Sequence, residues 1–184
     1  MTSRATLALA ALLTASAASP AAAATPSFAC TDNLTPTELV ICADDTLAAL
    51  DRALATAYRN KFDGLPVESN NALDEVVRSL MLTQKAWIAH RNSCGAERAC
   101  IRKAYVTRTR ALTAGDNDKD VPCSDVVGTE QAAVYVAQCK AVATETHPPC
   151  NAQNSCELII SHNIYRCSGL GDGAPKFCAT DLKP

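Results

Sequence analysis

The chain has 184 residues, of which 17 are basic and 19 acidic, for a formal net charge of −2, and 48% are hydrophobic. That near-balance argues against a nucleic acid partner, which calls for a clustered excess of Lys and Arg. The length suits one compact domain or two very small ones.

Residues 1–24 read as a cleaved secretory signal: Arg4, an Ala/Leu run from Ala5 to Leu13, then small residues ending in Ala22-Ala23-Ala24. The apolar run is shorter than the roughly 20 residues needed to cross a bilayer. Cys30 follows Ser27-Phe28-Ala29, which is not the small-residue box of a lipid-anchored cysteine, so no membrane anchor is expected. The reading predicts a periplasmic or secreted chain after cleavage near Ala24. Losing Arg4, the one charged residue of the leader, takes the net charge to −3. Charge is also uneven: residues 25–115 carry 11 basic and 10 acidic side chains, and residues 116–184 carry 5 and 9.

Ten cysteines follow the leader, at Cys30, Cys42, Cys94, Cys100, Cys123, Cys139, Cys150, Cys156, Cys167 and Cys178. An even count behind an export signal predicts five bridges formed in an oxidising compartment. A metal site is not expected, because there is no CxxC and only His90, His147 and His162 supply imidazoles. A reactive thiol is disfavoured, since it would leave a second cysteine without a partner. No cofactor is implied.

Helix signals then follow in order. Thr35-Pro36-Thr37-Glu38 is a capping threonine, a proline at the first helical position and a glutamate placed to return the hydrogen bond. It opens a short helix carrying Leu39, Val40 and Cys42. Asp44-Asp45 caps a second, with Leu47, Leu50, Leu54 and Tyr58 on one face until Gly64-Leu65-Pro66 stops it. A third spans about Ser69 to Arg91, roughly 35 Å at the usual rise, with Leu73, Val76 or Val77, Leu80, Gln84, Trp87 and Arg91 along a stripe. A fourth follows Cys94-Gly95 and aligns Ile101, Tyr105, Arg108 and Leu112 before Gly115. The simplest packing is an antiparallel hairpin of the second and third helices with the fourth folded beside them.

Residues 115–122, GDNDKDVP, are polar and turn-forming and read as a linker. Beyond it six cysteines fall in 62 residues. Val134, Ala137 and Ala141 suit a helix starting near Thr129. Cys156, Ile160, Ile164 and Cys167 suit another, capped at Asn154 with Glu157 in the return position. His147-Pro148-Pro149-Cys150 must be extended or turn, because each proline disfavours helix in the residue before it. So small a core needs its bridges, worth about 2–4 kcal/mol each. The expected class is all-α: a small helical bundle over 25–114 stapled by disulfides, with a Cys-rich, mostly helical appendage over 123–184.

Phe28-Ala29-Cys30, Thr35 to Cys42 (TPTELVIC), Leu47, Leu50-Asp51, Tyr58, then Gln84, Trp87, Arg91, Cys94, Cys100, Tyr105 and Leu112 form an ordered set. Over residues 28–112 that set resembles the family named for the N-terminal domain of the lysozyme inhibitor LprI. The resemblance implies a helical exported domain with local bridges Cys30–Cys42 and Cys94–Cys100, and lysozyme inhibition as an activity. Spacings of twelve and six residues suit closure around a turn or short helix. Pairing Cys30 with Cys94 and Cys42 with Cys100, tying helix ends together, stays open. The last six cysteines allow fifteen pairings.

The candidate partner-binding residues are Gln84, Trp87, Arg91, Arg98 and Arg102. The first three share a helix face, and Trp and Arg are favoured binding anchors; the competing reading places Trp87 in the core with Gln84 and Arg91 bonded to Tyr58, Asp51 or a helix end. Arg98, Arg102, Lys103, Arg108 and Arg110 form a basic run on the fourth helix. Its guanidinium groups could address the two carboxylates of a glycosidase cleft, or simply be a solvated face. Asp116, Asp118 and Asp120 could meet a basic enzyme or keep the linker soluble. Gly169, Gly171 and Gly173 lack the strand before and the Lys-Ser/Thr after that a phosphate loop requires. No catalytic set stands out, and a Cys150/His147 pair is opposed by rigid prolines and expected oxidation.

The sequence therefore predicts a non-enzymatic exported binding protein, expected to be a monomer, and the resemblance implies inhibition of c-type lysozyme as its activity. The alternative is an envelope structural or interaction module whose partner is another exported protein or the cell wall.

Overall fold

The computed structural model describes residues 25–65, 71–114 and 121–182. The expected signal segment, Pro66, Ser69, the side chain of Leu73, and Gly115 with Asp116, Asp118 and Asp120 lie outside the described residues. Among the described residues there are eight α-helices and no strand: α1 (Pro36–Cys42), α2 (Asp45–Asp63), α3 (Asn71–Asn92), α4 (Arg98–Thr113), α5 (Cys123–Val127), α6 (Thr129–Val142), α7 (Cys156–Ser168) and α8 (Lys176–Thr180). None of them is long and apolar enough to cross a membrane.

The caps act as their chemistry requires. Thr35 and Glu38 close a full capping box on α1. Asp44 Oδ1 accepts from Thr46 N and Leu47 N at the start of α2. The cap of α7 differs from expectation: Ser155, in an extended conformation, accepts from Leu158 N. Asn154 is occupied elsewhere, its side chain donating to Pro149 O at 3.0 Å while its carbonyl accepts from Cys123 N at 2.9 Å. The amide thus pins the proline segment and leaves the cap to its neighbour.

Helix α4 is the central element of the first half, with α2 packed along it and α3 beside it, so the expected hairpin of α2 with α3 is not the principal contact. Tyr105 on α4 reaches Asp51 on α2, which draws those two helices together. The other side of α3 is taken by α7. One buried cluster consequently contains Ile41, Leu47, Leu80, Trp87 and Ile101 together with Val126, Tyr135, Ile159 and Ile164. Leu182 is fully buried, and its carbonyl accepts from Arg78 Nη2 on α3 at 2.6 Å.

The buried face of α6 also departs from expectation. Val134, Ala137 and Ala141 are exposed, whereas Ala132, Tyr135, Gln138, Cys139 and Val142 are buried. Turning this way buries the large Tyr135 and aims Cys139 at its partner, which an alanine face could not do. Gly128 joins α5 to α6 at φ 84°, and a Cβ there would stand 3.0 Å from His90 Nδ1. Backbone angle and close approach both demand glycine.

All ten cysteines are bridged: Cys30–Cys42, Cys94–Cys100, Cys123–Cys156, Cys139–Cys150 and Cys167–Cys178. The first two are the local pairs that the resemblance implied. Cys123–Cys156 spans 33 residues and joins the start of α5 to the start of α7, whereas Cys94–Cys100 spans 6. If loop closure in the unfolded chain dominates, deleting the long bridge by Cys123→Ala with Cys156→Ala costs about 4 kcal/mol, against about 2 kcal/mol for Cys94→Ala with Cys100→Ala. Urea unfolding of the two double variants would measure the difference; equal losses would contradict it.

Candidate partner-binding face

A buried polar network holds the helices that present the candidate residues. Arg91 on α3 donates through Nη1 to Tyr105 Oη at 3.0 Å, and that hydroxyl donates to Asp51 Oδ1 on α2 at 2.8 Å. Asp51 Oδ2 accepts from Ser27 N, bringing in the chain that enters α1. Arg91 Nη2 pairs with Glu38 Oε1 at 3.3 Å and with Asn92 Oδ1 at 2.8 Å. Burial pushes the Tyr105 phenol well above its ordinary range, so its proton stays available to Asp51. The Thr35 backbone N–H, ahead of the Thr35 hydroxyl and Arg91, holds the Glu38 carboxyl below its ordinary value against the opposing effect of burial.

Trp87 completes this centre. Its Nε1 donates to Ala104 O at 3.1 Å, its ring meets Tyr105 edge to face with centroids 5.3 Å apart, and the Arg91 guanidinium lies 5.5 Å from its centroid. Trp87 is 2% exposed and Arg91 4%, so neither projects from the surface. With Gln84, Asp51 and Tyr58 they line a groove of about 770 Å³ between α2 and α3. Gln84 is engaged as well, its Oε1 accepting from Arg108 Nε at 3.1 Å.

The basic run on α4 divides by helix face. Arg108 is fully buried and pairs through Nη1 with Glu157 Oε1 on α7 at 2.7 Å, tying the two halves together. It cannot belong to a solvated patch, as the run of basic residues suggested. Arg98, Arg102, Lys103 and Arg110 are exposed. Arg98, Arg102, Val106 and Arg110 follow at four-residue steps and so form one ridge, roughly 18 Å long at the helical rise. Val106 is 53% exposed, an apolar centre among three guanidinium groups. Arg98 Nη1 is braced at 2.7 Å by Asp44 Oδ2, yet the side chain stays 63% exposed. The ridge can offer planar, bidentate donors to carboxylates on a partner.

Other candidates fall elsewhere. Gly171–Gly173 form a 3-10 turn ahead of α8. His147 Nδ1 lies 3.1 Å from Thr146 Oγ1, and the imidazole beside a cystine sulphur is instead His162, 3.5 Å from Cys139 Sγ. Sequence spacing gave no signal for that contact, because the two residues stand 23 positions apart on different helices.

Tyr105→Phe removes the hydroxyl that joins Arg91 to Asp51 and leaves Asp51 Oδ1 without its buried donor. The expected loss is about 1–3 kcal/mol, read from chemical unfolding with the helical circular dichroism of the folded state unchanged. A loss below a few tenths of a kcal/mol would show that the network does not hold these helices.

No curated protein and no solved structure matches the chain at a significant level. A family model described as "Lysozyme inhibitor LprI" matches residues 30–147. The match takes in the whole capped and bridged region from α1 to α4 and continues through α5 and α6, beyond the span of the sequence resemblance. On that coverage, the chain belongs to the lysozyme inhibitor LprI family.

Proposed function

We propose that the protein is an exported, non-enzymatic inhibitor of c-type lysozyme that binds its target one to one and covers the catalytic cleft with the exposed ridge of α4. Family membership supports a lysozyme inhibitor role, and five disulfides accord with export. The observation that carries the choice of face is the division of arginines. Arg91 and Arg108 are consumed inside the protein, while Arg98, Arg102 and Arg110 stand outward around Val106. A glycosidase cleft presents two carboxylates within about 5–10 Å of each other, a spacing that neighbouring guanidinium groups one helical turn apart can address. Val106 would exclude water at the centre of the contact, strengthening each ion pair around it. Inhibition on this reading is stoichiometric occlusion, with no turnover and no cofactor.

Purified protein titrated against a c-type lysozyme on cell-wall substrate should abolish lysis near equimolar ratio. Arg102→Glu with Arg110→Glu is the informative variant, because neither residue is ion-paired to the α2 cap Asp44 as Arg98 is, although the charge of Arg102 also favours the Asp44 carboxylate. Losing two charge-assisted contacts should raise the concentration needed for half inhibition by roughly 10–100-fold, with the helical circular dichroism of the folded state unchanged. Full lysozyme activity at micromolar excess of the wild-type protein would contradict the inhibitor reading. Undiminished inhibition by the double variant would remove the α4 ridge from it.

A further inference from the structure

Four side chains meet where α6 leads through the proline segment into α7. Cys139 on α6 is bonded to Cys150 in that segment. His162 on α7 places Nδ1 3.5 Å from Cys139 Sγ, and both sulphurs and a ring nitrogen of His162 lie within 4.8 Å of one another. The far side of the ring is fixed too, because His162 Nε2 is hydrogen-bonded to Glu145 Oε1. Glu145 is itself held by Thr144 N at 2.9 Å and approached by Arg166 at 4.0 Å. The His162 side chain is only 10% exposed, Cys139 is fully buried and Cys150 half-buried.

Two sulphurs and an imidazole are a zinc donor set, with the fourth tetrahedral position left for water. An imidazole whose second nitrogen is fixed on a carboxylate is already oriented for coordination. Among the described residues this is the one cluster of three or more such ligands, and no other bridge has an imidazole so placed. The intact disulfide offers no thiolate, so the site exists only once that bridge is opened.

We propose that the Cys139–Cys150 bridge is exchangeable for a metal clip, in which Cys139, Cys150 and His162 bind one zinc ion after reduction by an external dithiol. The reductant's two thiols become a disulfide, and two electrons and two protons pass to Cys139 and Cys150. Zinc then displaces the two thiol protons. His162 ligates through Nδ1 and keeps its Nε2 proton donated to Glu145. The same α6-to-α7 connection is held by a covalent bond in oxidising surroundings and by zinc in reducing ones.

The test uses the full chain with all ten cysteines. Graded dithiothreitol followed by alkylation and mass spectrometry reports the reductant concentration at which each bridge opens. The reductant is then removed without air, and zinc binding is measured by equilibrium dialysis while circular dichroism follows the helices. At the concentration that frees Cys139 and Cys150 as thiols, the expected result is retained helicity and uptake of one further zinc ion per chain. His162→Ala should abolish that uptake while leaving the dithiol, and Glu145→Gln should weaken it roughly 10–100-fold. Absence of zinc uptake by the wild-type dithiol would overturn the proposal. So would equal affinity in His162→Ala, or opening of this bridge only with loss of helicity.

Discussion

The Tyr105 hydroxyl accepts a hydrogen bond from Arg91 and passes one to Asp51, and the arrangement of the first four helices depends on that relay. The guanidinium, the phenol and the carboxylate come from α3, α4 and α2, and Glu38 adds α1 through the remaining face of Arg91. Buried charges are tolerated only when paired and hydrogen-bonded, so each of these groups requires the others to be in place. Thr37, next to Glu38 in the first turn of α1, reinforces the arrangement, its hydroxyl directed to the carbonyls of Asn92 and Gly95 at 3.1 and 2.8 Å. A cluster of this kind specifies one packing of the helices where apolar contacts alone would allow sliding.

The same chemistry explains how the second half is attached. Arg108 sits one turn beyond Tyr105 toward the end of α4, and its pairing with Glu157 brings α7 against the surface formed by α3 and α4. The long Cys123–Cys156 bridge fixes the beginning of α7 near the beginning of α5. Arginines on α4 therefore do two different jobs according to face. The inward one is a structural tie, and the outward ones are available to a partner.

Much of this was legible in the sequence where one residue type has one physical use. Thr35-Pro36-Thr37-Glu38 and Asp44 announced their caps, the i, i+4, i+7 and i+11 residues of α4 announced its buried face, and the even cysteine count announced complete bridging. Legibility failed where several residues could serve equally. Asn154 and Ser155 are both good caps, and only the demand of the proline segment for the Asn154 amide decides between them. Apolar periodicity pointed α6 the wrong way because alanines carry little weight against one tyrosine and one bridged cysteine. The short helices α5 and α8 follow prolines and are held by neighbouring bridges, which gives them almost no periodic signal. The basic run could not be divided before the faces of α4 were known, although Arg108 had already aligned with the apolar residues.

The central claim is that the outward ridge of α4, and not the groove beside the buried network, meets the target enzyme. Nuclear magnetic resonance of isotopically labelled protein, titrated with unlabelled c-type lysozyme, reports this directly through chemical-shift changes assigned to individual residues. The account predicts the largest changes at Arg98, Arg102, Val106 and Arg110, with the Trp87 and Tyr105 signals little moved. Changes concentrated on the groove residues Tyr58, Gln84 and Ile88, or no changes at saturating lysozyme, would contradict it.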